Sequence, residues 1–262
     1  MKYCLSGRQP HKMLDKADEI KIELRDFRAI PEYIEKHPDK TLILEMQNEL
    51  PKDFNWDTIG AYSEMMNGNF YCALSDLGTV GECINRNIKF YYKYTVSTYF
   101  ELEGLKRLGV SYIVVGVPLI FDLKTVKSYG IPMRAVPNLA YEPYIMHTDG
   151  IIGGWIRPED TDAYAQYIDV FEFYAPQSLD KEAALFHVYA ENKTWPGNLN
   201  LLIDYLGVDF NNQILYDEDN FAIRRMNCRQ KCLQGKFCHY CHDQVRFESV
   251  LRKYKDYKDS LN

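Results

Sequence analysis

The sequence contains no apolar run long enough to cross a bilayer. Its longest, Tyr112 to Val117 and Ile151 to Ile156, fall far short of the roughly 18 to 20 residues that a spanning helix needs. Phosphate-binding glycine patterns are missing as well. Neither G-x-G-x-x-G nor G-x-x-x-x-G-K-[ST] follows any apolar stretch, and Gly153-Gly154 lacks the required continuation, which removes the usual signature of a nucleotide-binding open sheet. There is no G-x-S-x-G elbow, so a serine hydrolase of the α/β type has no support. His11, His37, His147 and His187 lack the partners of a His-x-Glu or His-Glu-x-x-His zinc hydrolase. With 15 Gly and 11 Pro in 262 residues, neither residue is enriched enough for a collagen-like or low-complexity chain. At the N-terminus one charge precedes a very short apolar run and then Gly7-Arg8, which is not the pattern of a signal peptide. The expected location is the cytoplasm, with no membrane partner.

What is present is an ordinary globular composition, 46% hydrophobic and 26% charged, long enough to bury a sizeable core. Charge is unevenly spread. Residues 221 to 262 carry ten Lys/Arg against four acids, a segment charge of +6, which leaves −12 for residues 1 to 220 out of a net −6. Such a contrast suggests either a tail docked on its own acidic body or an anionic partner. A solvated helix face is the plainer alternative.

Short β-branched or aromatic runs alternate with longer amphipathic segments, the mark of repeated βα units. Candidate strands are Lys2 to Leu5, Glu19 to Leu24, Thr41 to Met46, Asn69 to Leu74, Ile88 to Tyr92, Tyr112 to Val115, Ile131 to Val136, Gly154 to Ile156 and Asp169 to Phe173. Nine is one more than a closed eight-stranded barrel requires, so one candidate is wrong or lies outside it. Helices are expected over Phe27 to Lys36, Asp57 to Met66, Asp76 to Arg86, Ser97 to Leu108, Leu119 to Tyr129 and Pro158 to Tyr167, several with Asn-Gly or Gly behind them as C-terminal stops. The expected fold is α/β, a TIM-type (βα)8 barrel over residues 1 to 175, with a doubly wound open sheet as runner-up. Residues 176 to 262 read as a helical, cysteine-rich appendage, with helices at Leu179 to Tyr189 and Leu199 to Leu206 and a tail helix over Gln244 to Asn262.

Four of the seven cysteines fall within fourteen residues: Cys228, Cys232, Cys238 and Cys241, spaced C-x3-C-x5-C-x2-C around a Gly-containing turn. Two thiolate pairs flanking a turn can wrap one metal ion. Zinc in a closed structural site is favoured, a [4Fe-4S] cluster is the alternative, and His239 or His242 could replace a cysteine ligand. A disulfide framework is disfavoured by a reducing cytosol. Phe237 and Tyr240 among Arg224, Arg225, Arg229, Lys231 and Lys236 would let residues 221 to 262 bind nucleic acid by stacking and phosphate contact. The same aromatics could instead pack the knuckle on the body.

In a barrel, chemistry gathers at the C-terminal ends of the strands. Glu45, Asp76 and Glu172 with Lys93 are the candidate acid–base residues, since carboxylates and a lysine sharing one cavity separate their pKa values. Arg25, Arg134 and Arg157 are the candidates for holding an anionic substrate. Polar rim residues are also common in barrels for structural reasons alone. The expected function is a metal-binding barrel enzyme acting on a nucleic-acid or other anionic substrate. The alternative is a non-catalytic scaffold or assembly protein, of viral or mobile-element type, that binds a partner through the basic knuckle.

The stretch Leu105 to Asn138, Leu-Lys-Arg-Leu-Gly-Val-Ser-Tyr-Ile-Val-Val-Gly followed by Ile-Pro-Met-Arg-Ala-Val-Pro-Asn, resembles the barrel repeats of the collagenase-like peptidase family. That family includes RNA-hydroxylating and quinone-hydroxylating proteins. The resemblance implies a TIM-type barrel and four cysteines holding an iron–sulfur cluster. Here the four cysteines are bunched near the C-terminus instead of spread along the barrel.

Overall fold

A computed structural model describes residues 1–120, 122–138, 156, 158–173 and 178–192, together with the backbone of 212–216 and 245–249. The chain divides into two compact units. The first comprises Met1–Val115, Tyr129–Ala135 and Ile168–Glu172. It contains all the parallel strands: β1 (Lys2–Ser6), β2 (Glu19–Glu23), β3 (Thr41–Glu45), β4 (Phe70–Leu74), β5 (Lys89–Tyr92), β6 (Thr95–Val96), β7 (Ile113–Val115), β8 (Met133–Ala135) and β9 (Val170–Glu172).

Strand order is β5-β4-β3-β2-β1-β9-β8-β7-β6, every neighbour parallel. The two ends of this series are consecutive pieces of one strand. β5 pairs with β4, and β6, only two residues further on, pairs with β7. Just before β7, the Ser111 N–H also donates to the Phe90 carbonyl at 2.8 Å. Counted as one stave, β5 and β6 join the remaining seven strands in a closed eight-stave TIM-type (βα)8 barrel. The surplus strand of the sequence reading is Gly154 to Ile156. Residues 151–155 lie outside the described residues, and Ile156 is not in a strand.

Residue alternation along the staves explains the two faces. Leu5, Ile20, Ile22, Leu42, Leu44, Phe70, Cys72 and Leu74 are buried, together with Leu14, Ile30, Ile59, Cys83, Leu102 and Leu105 from the intervening helices. The other parity of β2, Glu19, Lys21 and Glu23, carries charge into the barrel. The helices are α1 (His11–Leu14), α2 (Ile30–Lys36, entered through a 3-10 turn at Leu24–Ala29), α3 (Trp56–Met65), α4 (Val80–Asn85) and α5 (Tyr99–Leu108). The longest are locally specified. Asn55 caps α3 by accepting from the Asp57 N–H at 2.8 Å. Thr98 and Glu101 form a reciprocal capping box on α5. Gly109, at φ 72°, ends α5 in the left-handed conformation that side-chain-bearing residues adopt at a cost.

The expected helix Asp76 to Arg86 begins only at Val80, because the Asp76 carboxylate accepts from the Thr79 N–H at 3.1 Å and makes a turn of its first residues.

The second unit comprises Gly116–Ser128, Val136–Tyr167 and Phe173–Asn262. Its helices are α6 (Val117–Ile120), α7 (Leu123–Lys127), α8 (Thr161–Tyr164) and α9 (Leu179–Phe186, continued by a π-helical turn His187–Asn192). The expected helix Leu119 to Tyr129 is therefore two single turns. Tyr189 is fully buried, with its hydroxyl donating to the Ile156 carbonyl at 2.7 Å.

Near the C-terminus, β10 (Asn212–Tyr216) and β11 (Val245–Ser249) form an antiparallel ribbon. This corrects the tail-helix expectation over its first residues. Val245-Arg246-Phe247-Glu248-Ser249 alternates apolar and charged residues with a period of two, which suits a strand better than a helix. The expected helix Leu199 to Leu206 lies outside the described residues. Among the described residues no helix is long and apolar enough to cross a membrane.

Candidate functional site

Six charged side chains form one continuous ladder through the barrel interior. At its deep end Glu19, the first residue of β2, accepts from Arg134 Nη1 at 2.6 Å. Arg134 lies mid-strand in β8 and reaches Glu172 Oε2 on β9 with Nη2 at 3.4 Å. The other oxygen of Glu172 is bound by Lys21 Nζ. Lys21 also lies 3.5 Å from Glu45 Oε2, at the end of β3. Lys93, at the end of β5, completes the series with Nζ 3.2 Å from Glu45 Oε1 and 3.2 Å from the Met46 carbonyl. Three cations alternate with three carboxylates, so the ladder is neutral as a whole.

Exposure grades along it. Glu19 and Arg134 side chains are 0% and 1% exposed, whereas Glu45 and Lys93 reach 26% and 22%. Because all staves are parallel, the Glu45–Lys93 end is the C-terminal mouth, where a substrate can arrive.

The buried members are fixed as ions by one another. Burial alone pushes the Glu172 carboxyl up, but Lys21 and Arg134 outweigh it and hold it at about 2. For Lys21, burial pulls the ammonium down, and Glu172 and Glu45 raise it well above the ordinary lysine value. The Arg134 guanidinium lies over the rings of Tyr91 and Tyr112, 4.9 and 5.3 Å from their centroids. Burial drives the Tyr91 hydroxyl and the Cys4 thiol well above their ordinary values. Both therefore stay protonated and take no part as bases or nucleophiles.

Ser75 belongs to the same mouth. Ala73 pairs with Tyr91, so Ser75 and Lys93, two residues further along, continue the same face of β4 and β5. The Lys93 N–H donates to the Leu74 carbonyl at 2.9 Å. The Ser75 hydroxyl is buried without a hydrogen-bond partner among the described residues.

Of the residues expected from sequence, Glu45, Lys93 and Glu172 come together in the ladder. Asp76 is spent on the turn before α4. Arg134 is the inner clamp on Glu19 and Glu172, and at 1% exposure it offers nothing to a substrate; this corrects its expected substrate-holding role. Arg25 is 57% exposed and paired with Glu23 at 2.8 Å, apart from the ladder. Arg157, Cys228, Cys232, Cys238 and Cys241 lie outside the described residues. Among the described residues no group of three or more His, Cys, Asp or Glu could hold a metal ion.

Sequence reasoning missed Lys21 and Glu19. Their signal was the strand Glu19-Ile20-Lys21-Ile22-Glu23 itself, in which charge alternates with isoleucine. In a barrel covered by helices the isoleucine face must point outward, and the charged face inward.

The chain matches no protein-family model, and no curated protein matches it. It is similar in structure to native KDPGal (TM-score 0.45, 13% identity, 72% of this chain and 91% of that one). A 4-hydroxy-2-oxoglutarate/2-dehydro-3-deoxyphosphogluconate aldolase gives TM-score 0.42 and 12% identity over 73% of this chain and 92% of that one. For 3-keto-L-gulonate-6-phosphate decarboxylase from Vibrio cholerae O1 biovar El Tor the values are 0.40 and 13%, over 74% of this chain and 99% of that one. The expected kinship with collagenase-like peptidases is thereby corrected, since neither a family match nor these neighbours carry it. Its physical basis was thin: Leu105 to Asn138 covers the end of α5, β7, α6, α7 and β8, one strand–helix–strand passage that any such barrel contains.

Proposed function

We propose that the protein is a barrel enzyme acting on a small anionic substrate at the C-terminal mouth, by general acid–base chemistry. Glu45 is the general base, and Lys93 both attracts the substrate's negative charge and steadies charge that develops on it. The observation that carries this reading is the exposure gradient of the ladder. Its Glu19–Arg134 end is sealed, whereas Glu172, Lys21, Lys93 and Glu45 are 18 to 26% exposed; of these Glu45 and Lys93 stand side by side at the strand ends, and the unpartnered Ser75 hydroxyl lies on the Lys93 face of that mouth. Glu172 is too acidic, at about 2, to accept a proton near neutral pH.

The test is a thermal-shift screen of the full chain against sugar phosphates, carboxylated metabolites and short oligonucleotides, followed by Lys93→Met. The expected result is a concentration-dependent rise in Tm with a small phosphate or carboxylate that Lys93→Met abolishes. An equal rise in the variant, or no response to any anion, refutes the reading. Turnover of the responding compound, lost in Glu45→Gln with binding retained, then identifies the base.

A second reading concerns the C-terminal ribbon. Tyr216 and Val245 are register partners, so segment 217–244, which includes all four clustered cysteines, starts and ends at one point. We propose that Cys228, Cys232, Cys238 and Cys241 hold one zinc ion, with a [4Fe-4S] cluster as the alternative, and that the basic segment 221 to 262 contacts nucleic acid. Elemental analysis of anaerobically purified protein tests the metal: one zinc per chain in a colourless sample supports zinc, iron with sulfide supports the cluster, and neither overturns both. Nucleic-acid affinity that does not weaken with added salt overturns the phosphate contacts.

A further inference from the structure

We propose that the mouth binds a carboxylate: the substrate is a carboxylic acid whose two oxygens are held by Lys93 Nζ and the Ser75 hydroxyl. This names the substrate class for the acid–base reading of the same site and rests on it.

The ladder itself points to the missing partner. Each inner cation lies between two carboxylates, Arg134 between Glu19 and Glu172 and Lys21 between Glu172 and Glu45. Lys93 closes the series with one. Its ammonium has Glu45 Oε1 and the Met46 carbonyl at 3.2 Å each, and the Tyr94 ring, its centroid 5.6 Å away, as an apolar wall. An ammonium carries three N–H donors, so one remains for a further acceptor after Glu45 and Met46. A ligand carboxylate placed there continues the alternation of charge by one more rung.

Ser75 supplies the second donor. Glu45, Ala73 and Tyr91 are register partners across β3, β4 and β5, so Lys93 crosses the inner face of β4 to reach Glu45. It can do so because β4 offers only the Ala73 methyl group at that level, with Ser75 next above it on the same face. Ser75 is 8% exposed, and its hydroxyl has no hydrogen-bond partner among the described residues. A buried hydroxyl left unpaired costs stability, and a ligand oxygen beside Lys93 satisfies it. The neighbouring Asp76 carboxylate does not compete, since it accepts from the Thr79 N–H at 3.1 Å. Two donors match the two oxygens of a carboxylate, and its single charge matches the one open side of Lys93. A phosphate dianion brings a second charge and a third oxygen to a place bordered by Glu45 and Asp76, while Arg8 and Arg25 are paired with Glu23.

The experiment is an amide NMR titration of the full chain with sodium acetate as probe, against inorganic phosphate and against sodium chloride at equal ionic strength. Acetate should shift the Ser75 and Lys93 signals saturably, and phosphate and chloride should not. Lys93→Met should abolish the response, and Ser75→Ala should weaken it at least about fivefold, the scale of one hydrogen bond. Thermal unfolding of the acetate-free chain supplies an independent sign. Ser75→Ala removes a hydroxyl that has no partner, so its Tm should equal or exceed that of the unaltered chain, whereas loss of a structural hydrogen bond would lower it. Acetate binding unchanged in Ser75→Ala, a fall in the Tm of that variant, phosphate binding as tight as acetate, or no acetate response each overturns the inference. Turnover of a phosphate ester that is lost in Glu45→Gln, in a chain that ignores acetate, would sink the carboxylate site and keep the acid–base function. Acetate binding that depends on Ser75 and Lys93, with no carboxylic acid turned over, would do the reverse.

Discussion

Replacing Arg134 with methionine tests the inner half of the ladder. The side chain is 1% exposed and is the only cation in contact with Glu19 among the described residues, and Glu19 is itself 0% exposed. Removing one partner of a buried ion pair typically costs about 3 to 5 kcal/mol, because the remaining charge is stranded in a low-dielectric interior. The lower end applies here. Arg134 Nε and Glu19 Oε1 already lack hydrogen-bond partners among the described residues, so the pair is imperfectly satisfied before the substitution. A loss of about 3 kcal/mol is a large share of the roughly 5 to 15 kcal/mol that holds a typical domain together. Equilibrium urea unfolding followed by circular dichroism at pH 7 measures it. Adding Glu19→Gln to the variant should recover at least about 1 kcal/mol, since the two sites touch and their effects cannot be additive. A loss below about 1 kcal/mol at pH 7, the scale of an exposed pair, would refute the claim that this end of the ladder is dry and mutually dependent.

Other outcomes follow from the same structure. Glu172, held at about 2 against an ordinary 4.5, contributes about 3 kcal/mol at roughly 1.4 kcal/mol per pH unit, a contribution complete above pH 4.5 and lost as pH falls toward 2. Glu172→Gln should therefore decline less steeply in urea midpoint between pH 5 and 2.5 (values spanning about that window), and parallel declines would contradict it. Burial, with His11 and Lys40 adding to it and Asp15 opposing, lowers the His37 imidazole below 6.5. His11 Nδ1 lies 3.0 Å from His37 Nε2, the folded state resists protonation of His37, and stability should drop as pH falls below 6.5. His37→Phe should flatten that part of the Tm-versus-pH curve, and an unaltered curve would count against the pair. Thr98→Ala breaks the capping box on α5 and should cost about 1 kcal/mol in urea unfolding, whereas Thr98→Ser should cost far less.

Much of this was legible in the chain. The βα alternation, the approximate span of seven staves and the stop at Gly109 all depend on neighbours within a few residues, through side-chain branching, capping and backbone freedom. Glu45, Lys93 and Glu172 were legible as polar residues at strand ends. Arg134 was legible as a charge but misread in role, because its place depends on register. β8 covers only Met133–Ala135, and Arg134 pairs with Val170, one step below Glu172. It therefore sits mid-stave and points into the core instead of marking a rim. The second piece of the interrupted stave, Thr95–Val96, was also missed, because it follows a break at Lys93-Tyr94 and is only two residues long, with the stave pairing with β4 before the break and β7 after it.

By itself, then, the sequence determined which segments become strands and helices, and that charge would alternate with isoleucine along β2. Those are local choices, set by periodicity and turn chemistry. Only the tertiary structure decided that the sheet closes, and that Glu19, Lys21, Glu45, Lys93, Arg134 and Glu172, drawn from five staves, line up as one chain of ion pairs. That order follows from closure and stagger, which bring residues up to 151 positions apart, Lys21 and Glu172, into contact. No local pattern encodes such a meeting. It arises because buried charges in a closed barrel find partners across the interior or are not tolerated there.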